Sequence, residues 1–236
     1  MMGHFAQVTA DKYGFSREEM DAFATESAIR AQRAVSDGSF VDEIAPVTIS
    51  SRRGDVTIEQ DETPGLVSVD KISKLRPAFR KDGTVTAATS SSISDGAAAV
   101  VMMSETEAQK RGLQPIAKIV AHSVFAQEPA WFTTAPVYAL KKLHETLGWT
   151  PDDVDLYEIN EAFAVVTMAA LKDVGISHDK VNVNGGACAL GHPIGATGCR
   201  ISVTLLHALK SRGLKRGIAT QCIGGGEATA VAYEIL

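Results

Sequence analysis

The sequence predicts an α/β protein with a buried, mixed sheet and a loop-rich α+β subdomain at its N-terminus. From Pro115 onward, apolar β-prone runs alternate with helical stretches, which is typical of a layered α/β domain. Before that point, residues 40–83 show the pattern of short strands and loops separated by turn residues. With 236 residues, of which 45% are hydrophobic and 22% charged, the chain is long enough to bury a core without disulfides.

Charge and composition exclude several classes of protein. The net charge is −5, and neither half of the chain carries the basic excess of a nucleic-acid-binding protein. No apolar run reaches the ~20 residues needed to cross a bilayer, and the N-terminus lacks the pattern of a signal peptide. Three cysteines are an odd and sparse set, which argues against a disulfide framework. We therefore expect a cytoplasmic protein with no nucleic-acid or membrane partner.

The first part of the chain is predicted to contain one long helix and one hairpin. Ser16 and Glu19 have the spacing of a capping box, which predicts a helix that continues to about Val35. Two short β-prone segments, 45–50 and 55–59, flank a turn and predict a hairpin.

Two buried strands are predicted in the middle of the chain. Residues 84–87 and 97–103 are β-prone and strongly apolar, and the small residues of 88–96 separate them. A second capping box at 104–107 then predicts a short helix that stops at Gly112.

The C-terminal half is predicted to alternate between strands and helices. The predicted strands are 116–124, 156–159, 181–183, 217–223 and 228–235, and the predicted helices are 135–147, 161–174 and 195–211. Glycines that can adopt the left-handed conformation mark the ends of these helices, at Gly148, Gly175 and Gly213.

Three segments at predicted strand ends carry the candidate chemistry. They are NEAFA at 160–164, NGGACALGHPIGATG at 184–198 and CIGGG at 222–226, and α/β sheets usually place ligands at such ends. His192 stands among glycines that let a backbone approach a ligand closely, and Cys222 supplies a thiol beside bare backbone N–H groups. A thiol, an imidazole and unblocked amides are the groups that acyl transfer requires.

Other interpretations of these segments fit the spacing less well. Residues 191–198 contain no Gly-x-Gly-x-x-Gly, and the glycines of 224–226 lead into a strand, which argues against a dinucleotide site. Cys188, His192 and Cys199 are metal-binding residue types, but no Cys-x-x-Cys pair accompanies them, so we expect no metal. Taken alone, His192 also fits a structural histidine in a tight turn.

At these residues the sequence resembles the thiolase family, in particular the 3-ketoacyl-CoA thiolases of the acetyl-CoA acetyltransferase type. The matching stretches are NEAFA at 160–164, NVNGGACALGHPIGATG at 182–198, CIGGG at 222–226, KLRPAF at 74–79 and SDGAAAV at 94–100. The resemblance implies the αβαβα layered thiolase fold with an incomplete first core domain. It assigns residues 1–94 to a CoA-binding loop domain, 95–113 to the last part of the first core domain, and 114–236 to the second core domain.

The resemblance also implies a reaction: a reversible Claisen condensation of two acyl-CoA thioesters that forms a 3-ketoacyl-CoA. His192 matches the histidine that activates the nucleophile and helps bind the thioester oxygen, and Cys222 matches the cysteine that acts as acid and base. Asn160 matches the residue that holds an oxyanion-hole water, and Gly224 matches a donor of a backbone N–H. Positions that line the pantetheine or acyl tunnel are matched by Ser91, Phe163, Phe132 and Met2. CoA thioesters are then the substrates, and no further cofactor is implied.

The chain departs from the family pattern at two places. Residues 88–92 read Ala-Thr-Ser-Ser-Ser where family members commonly have Gly-Asn-Ala-Ser-Gly, so two backbone-permissive positions are changed. An arginine often found near residues 61–65 is also absent.

The resemblance begins part-way into a family member, and no cysteine here lies in the motif of the nucleophile. We therefore expect this chain to be inactive alone and to require a nucleophile-bearing N-terminal segment, in a homo-oligomer or a complex. The alternatives are a catalytically incomplete CoA-binding or interaction module derived from a thiolase, and an unrelated hydrolase that uses Cys222 with His192.

Overall fold

The structure is a computed structural model that describes residues 1–236. Two helices form its N-terminal part. Helix α1 spans Met2–Tyr13 and helix α2 spans Arg17–Ser36. The sequence pattern did not indicate α1, because its N-cap residue Met1 makes no side-chain cap. Its buried residues Ala6 and Ala10 pack in the core, so tertiary packing determines this helix.

The capping box predicted for α2 is confirmed. The Glu19 N–H donates to Ser16 Oγ at 3.1 Å, and the Ser16 N–H donates to the Glu19 carboxylate at 2.8 Å. After Ser36 the chain leaves the helix through Gly38, whose φ of +79° is left-handed.

The predicted hairpin is also confirmed. Strands β1 (Val47–Ser51) and β2 (Gly54–Ile58) pair antiparallel, and every residue in them is exposed. A short helix α3 (Thr63–Leu66) and a 3₁₀ helix (Val69–Lys74) follow.

The two buried strands predicted for 84–87 and 97–103 are wrong. In the first segment, the side chain of Gln7 accepts the N–H groups of Thr84 and Val85 at 2.8 and 3.0 Å, so a side chain occupies the donors that a strand would use. Residues 97–103 form no ladder, and Val101 is 88% exposed because no strand of this chain pairs with the segment. Helix α4 (Glu105–Lys110) then begins at the predicted cap, where Ser104 Oγ accepts the Glu107 N–H at 3.2 Å.

As predicted, a mixed sheet forms the centre of the C-terminal half, and it contains four of the five predicted strands. Its strands are β3 (Ala117–Ala126), β4 (Leu156–Ile159), β5 (Arg216–Ile223) and β6 (Glu227–Ile235), in the spatial order β3-β6-β5-β4. Strands β4 and β5 are parallel, and the other neighbours are antiparallel.

Helices cover both faces of this sheet. They are α5 (Ala135–Leu147), α6 (Ala164–Val174), a single turn α7 (Ala187–Leu190) and α8 (Thr197–Ser211). Leu140 and Leu143 of α5 pack with Ile218 of β5 in one apolar core. Leu205 of α8 packs with Leu156 and Ala219 in another, which gives the layered α/β arrangement. None of the helices has both the length and the apolar composition that crossing a bilayer needs.

The strand predicted for 181–183 is wrong. Only Val181 forms an isolated bridge, to Tyr157. Asn182 then adopts a φ of +48°, and its side-chain amide bonds both the N–H and the carbonyl oxygen of Ile159 at 2.8 Å. A side chain thus takes the place of the ladder hydrogen bonds that a strand would make.

Candidate functional site

Two of the three motif segments begin at the carboxyl ends of the parallel strands β4 and β5. Asn160 directly follows β4, and its backbone N–H donates to the carbonyl oxygen of Thr220 at 3.0 Å. Cys222 lies two residues farther along β5. The loop between α7 and α8 brings His192 to the same edge, where its Nε2 lies 3.4 Å from Asn160 Nδ2. The structure therefore joins Asn160 and His192 directly.

His192 is held from several sides. Its backbone N–H donates to Ser92 O at 3.1 Å, and its Nδ1 lies 2.6 Å from the hydroxyl oxygen of Thr197. Burial lowers the pKa of the imidazole below its usual value of 6.5, and the positive charge of Arg200 lowers this pKa further. The imidazole is therefore neutral at pH 7.

One polar side-chain atom of Asn160 has a partner in the chain, and the other has none. The residue is only 2% exposed, and its Nδ2 faces His192, whereas its Oδ1 is buried with no hydrogen-bond partner in the chain. Buried amide oxygens nearly always accept a hydrogen bond. Asn160 Oδ1 is therefore suited to a donor from outside the chain, such as a water molecule or a ligand.

Cys222 lies in apolar surroundings. It is buried in one cluster with Phe132 and Phe163, and this burial raises the pKa of its thiol to about 12. The thiol is therefore protonated at neutral pH. Two residues later, Gly224 is exposed, and the Met2 methyl group lies 3.4 Å from where a Gly224 side chain would begin.

The aromatic candidates form a packed group. The ring centroids of Phe132 and Phe163 lie 6.4 Å apart in an edge-on arrangement, and Phe79 packs on Phe163 in the same way at 5.9 Å. Phe132 is fully buried. Sequence reasoning did not single out Phe79, although it ends the KLRPAF stretch. The Phe79 ring also lies against Gly3 at the start of α1, where a side chain would overlap it.

Ser91 is tied to the segment that follows Asn160. Its hydroxyl donates to Ala162 O at 3.0 Å, and its N–H donates to the same oxygen at 3.2 Å. The changed positions in 88–92 do not disturb the backbone, because Asn182 is the chain's only non-glycine residue with a positive φ. Ala88 and Ser92 therefore adopt conformations open to any residue.

Glu161 is a buried carboxyl that sequence reasoning passed over. It accepts hydrogen bonds from Ser27 Oγ at 2.7 Å, Asn182 Nδ2 at 2.8 Å and the Cys188 N–H at 3.0 Å. Burial raises its pKa in spite of these donors. Because its partners come from α2 and from the glycine-rich segment, Glu161 connects the loops that carry Asn160 and His192.

A cavity of about 400 Å³ lies under the 3₁₀ helix of residues 69–74. Its lining is mostly apolar and includes Val67, Lys71, Leu75, Ala87, Ala88 and Cys188. Lys71 is the one cation in the lining, and nothing in the sequence patterns marked it. A larger groove of about 610 Å³ between α2 and α6 contains none of the candidate site residues.

Both halves of the chain match known domain families. The family model described as "Thiolase, N-terminal domain" matches residues 1–106, and the one described as "Thiolase, C-terminal domain" matches residues 113–235. The match to the N-terminal domain does not support our expectation that the chain resembles only a C-terminal portion.

Individual relatives agree with these matches. The acetyl-CoA acetyltransferase of Chromobacterium violaceum is 51% identical over 235 residues, which cover 99% of this chain and 60% of the relative. The crystal structure of the Bacillus anthracis acetyl-CoA acetyltransferase superposes with a TM-score of 0.97 at 46% identity, over 100% of this chain and 60% of that chain. A thiolase from Ascaris suum in complex with coenzyme A superposes with a TM-score of 0.89 at 40% identity, over the same shares of the two chains.

The chain thus spans about 60% of the length of the curated relatives it matches. The two family models together account for nearly all of its residues. The chain belongs to the thiolase family.

Proposed function

We propose that this chain acts in acyl transfer between CoA thioesters, as part of an acetyl-CoA acetyltransferase that condenses two acyl-CoA molecules to a 3-ketoacyl-CoA. The observation that carries the proposal is the pair formed by His192 and Asn160, whose buried Oδ1 lacks a partner, at the strand edge that also holds Cys222. Relatives that are 51% and 46% identical to this chain are named acetyl-CoA acetyltransferases.

The condensation requires an enolate at the α-carbon of one thioester. An α-proton next to a thioester is weakly acidic, so its removal needs donors aimed at the oxygen that becomes negative. A water bound to Asn160 Oδ1 would donate one hydrogen to that amide oxygen and the other to the thioester oxygen. His192 supplies a second donor once its Nε2 carries a proton.

Cys222 serves as the acid and base of this reaction. As a thiolate it removes the α-proton, forming an S–H bond while the C–H electron pair moves into the enolate. As a thiol, the form that its raised pKa favours, it can return a proton to the α-carbon of the acetyl-CoA enolate that departs in the reverse reaction. The backbone N–H of Gly224, an exposed residue, is the proposed donor to the oxygen of the acyl group being transferred.

We propose that the nucleophilic thiol of the enzyme comes from another segment, because none of the three cysteines here lies in the motif that the resemblance assigns to the nucleophile. A nucleophilic cysteine needs a lowered pKa, whereas burial raises the pKa of both Cys188 and Cys222. The exposed apolar stretch 97–103 has an unpaired backbone, and a strand of a nucleophile-bearing N-terminal segment can pair with it. Homo-oligomerisation and a cytoplasmic location belong to the same proposal and rest on the resemblance and on the sparse cysteines.

The substrate arm is proposed to follow the 400 Å³ cavity. Apolar side chains such as Val67 and Leu75 suit a pantetheine chain, and Lys71 offers a positive charge to a CoA phosphate. Ser91, Phe163, Phe132 and Met2 are the proposed contacts nearer the reacting carbon.

Exchange of the acetyl α-protons of acetyl-CoA with D₂O tests the proposal on the 236-residue chain itself. This partial reaction needs the base and the oxyanion hole but no nucleophile. We expect the purified chain to bind acetyl-CoA and to catalyse the exchange, and we expect thiolysis of acetoacetyl-CoA only after a nucleophile-bearing N-terminal segment is added.

Variants of His192 and Cys222 test whether these two residues catalyse the exchange. His192→Ala and Cys222→Ser should each slow the exchange by about 100-fold or more, because each removes one group that acts only in the transition state. Cys199→Ser is the matched control and should exchange at the wild-type rate. Binding of acetyl-CoA without any exchange would contradict the catalytic role and favour a CoA-binding module. Hydrolysis of acetyl-CoA that depends on Cys222 would favour the hydrolase, and robust thiolysis by the chain alone would refute the external nucleophile.

A further inference from the structure

We propose that Thr197 fixes the tautomer of His192, so that Nδ1 carries the proton and Nε2 remains a free base that faces Asn160. The assignment of the tautomer rests on hydrogen-bond geometry alone. Its catalytic meaning rests on the proposed acyl-transfer function.

The hydroxyl of Thr197 contacts His192 and Pro193. This residue is fully buried at the start of α8, and its Oγ1 lies 2.6 Å from His192 Nδ1 and 3.0 Å from the carbonyl oxygen of Pro193. A hydroxyl has one proton to donate, and a carbonyl oxygen can only accept. With the Thr197 proton donated to Pro193 O, Oγ1 is left to accept a hydrogen bond from Nδ1–H.

The other ring nitrogen of His192 contacts the side-chain amide of Asn160. His192 Nε2 faces Asn160 Nδ2 at 3.4 Å, and an amide nitrogen can only donate. With the Asn160 amide in this orientation, Nε2 presents its lone pair. The opposite tautomer would place two donors against each other at Asn160 and would leave Nδ1 without a donor at Thr197. Both contacts thus favour the same tautomer.

The backbone holds Thr197 in place for this task. The N–H groups of Ala196 and Thr197 both donate to Pro193 O, at 2.8 and 2.9 Å, so the turn between His192 and α8 is closed by three hydrogen bonds to one oxygen. Thr197 is therefore a positioning residue that acts through the imidazole.

The tautomer matters for proton transfer. A free Nε2 can take the proton of an approaching thiol: the S–H bond breaks, an N–H bond forms, and the thiolate keeps the electron pair. Nε2–H can then donate to the oxygen of a bound thioester, while Nδ1–H stays bonded to Thr197 Oγ1. Arg200, a cation on α8, lowers the pKa of the imidazole. The ring therefore stays neutral while its Nδ1–H is bonded to the Thr197 hydroxyl.

The test reads the tautomer directly, by the ¹⁵N chemical shifts of the His192 ring in the full 236-residue chain. We expect the wild type and Thr197→Ser to show a protonated Nδ1 and an unprotonated Nε2. Thr197→Val keeps the shape of the side chain but loses the acceptor, so its His192 should become a mixture of tautomers. When a nucleophile-bearing N-terminal segment is added, the kcat of this variant for acetoacetyl-CoA thiolysis should fall roughly tenfold, with an unchanged KM and with recovery in the serine variant. Ser202→Ala removes another buried hydroxyl from α8 and should behave as the wild type does.

The outcomes separate the two proposals. A protonated Nε2 in the wild-type spectrum would overturn the inference without any variant, and so would an unchanged Nδ1–H signal in a folded Thr197→Val chain. If the wild type shows the expected tautomer but exchanges no α-protons, the proposed function fails and the tautomer assignment stands.

Discussion

At the scale of single residues, burial shifts the pKa values of Cys222 and His192 in opposite directions and keeps both groups uncharged. It raises the pKa of the thiol and lowers the pKa of the imidazole, because both shifts favour the uncharged form. The two groups that would exchange protons with a substrate are thus both neutral at pH 7. The neutral imidazole is ready to accept a proton, and the thiol is ready to donate one.

This state of Cys222 predicts the pH dependence of the exchange reaction. Removal of an α-proton needs the thiolate, and a thiol with a pKa of about 12 gains thiolate throughout the neutral and mildly alkaline range. The exchange rate at saturating acetyl-CoA should therefore rise about tenfold for each pH unit between roughly pH 7 and 9. A plateau inside that range would contradict Cys222 as the base. Cys222→Ser gives the background rate at each pH.

At the scale of elements, helix α2 holds the loops of the site. Arg30 Nη1 donates to Val181 O at 2.7 Å and to His178 O at 3.0 Å, and Ser27 holds the buried carboxylate of Glu161. A helix outside the sheet thereby fixes the segments that follow β4 and precede α7. Its stability therefore affects the geometry of Asn160 and His192.

The capping box of this helix gives a prediction for stability. Ser16→Ala removes the acceptor for the Glu19 N–H and should lower the free energy of unfolding by about 1 kcal/mol, measured by urea denaturation. Ser16→Asp retains an acceptor and should stay near the wild type. Ser73→Ala, at an exposed serine outside any cap, is the matched control. Equal stability of Ser16→Ala and the wild type would show that the cap does not limit the stability of the fold.

At the scale of the whole molecule, buried carboxyl groups couple stability to pH. Burial raises the pKa of Glu158 to about 8 and that of Glu43 to about 7, from an ordinary value of 4.5. Glu43 accepts a hydrogen bond from Thr204 at 3.0 Å, and Arg200 lies close enough to lower both pKa values in part. The folded chain therefore holds protons at neutral pH that the unfolded chain has lost.

This difference in bound protons determines whether stability rises or falls with pH. Stability falls with rising pH wherever the folded state binds more protons than the unfolded state. The buried histidines act in the opposite direction, mainly below their ordinary pKa of 6.5, whereas the carboxyl groups and, toward pH 8.5, the buried thiols of Cys188 and Cys222 set the slope above it. The melting temperature should therefore fall between about pH 6.5 and 8.5.

A glutamine variant isolates this contribution. Glu158→Gln has no carboxyl to ionise, so its melting temperature should fall less than that of the wild type over the same interval. Glu105→Gln, at an exposed carboxyl, should retain the wild-type slope. Parallel curves for Glu158→Gln and the wild type would contradict a proton on Glu158 in the folded chain.

Local sequence signals determined much of this protein. The capping box at Ser16, the Ser104 N-cap, the hairpin of β1 and β2 and the alternation of strands and helices after Pro115 were all readable, because short-range hydrogen bonds and residue periodicity produce them. The motifs around Asn160, His192 and Cys222 also placed the chemistry at strand ends. The roles assigned to the single site residues, and the division into three domain segments, stay predictions.

Only the tertiary structure decided the features that depend on distant partners. The apolar run 97–103 has the composition of a buried strand but is exposed, because burial requires a pairing neighbour and composition cannot supply one. Residues 181–183 look like a strand, yet the side chain of Asn182 replaces the ladder bonds. Helix α1 exists because the core packs on it, and the partners of Glu161 come from segments up to 134 residues away. Such contacts have no local signature, since they form only when the whole chain has folded.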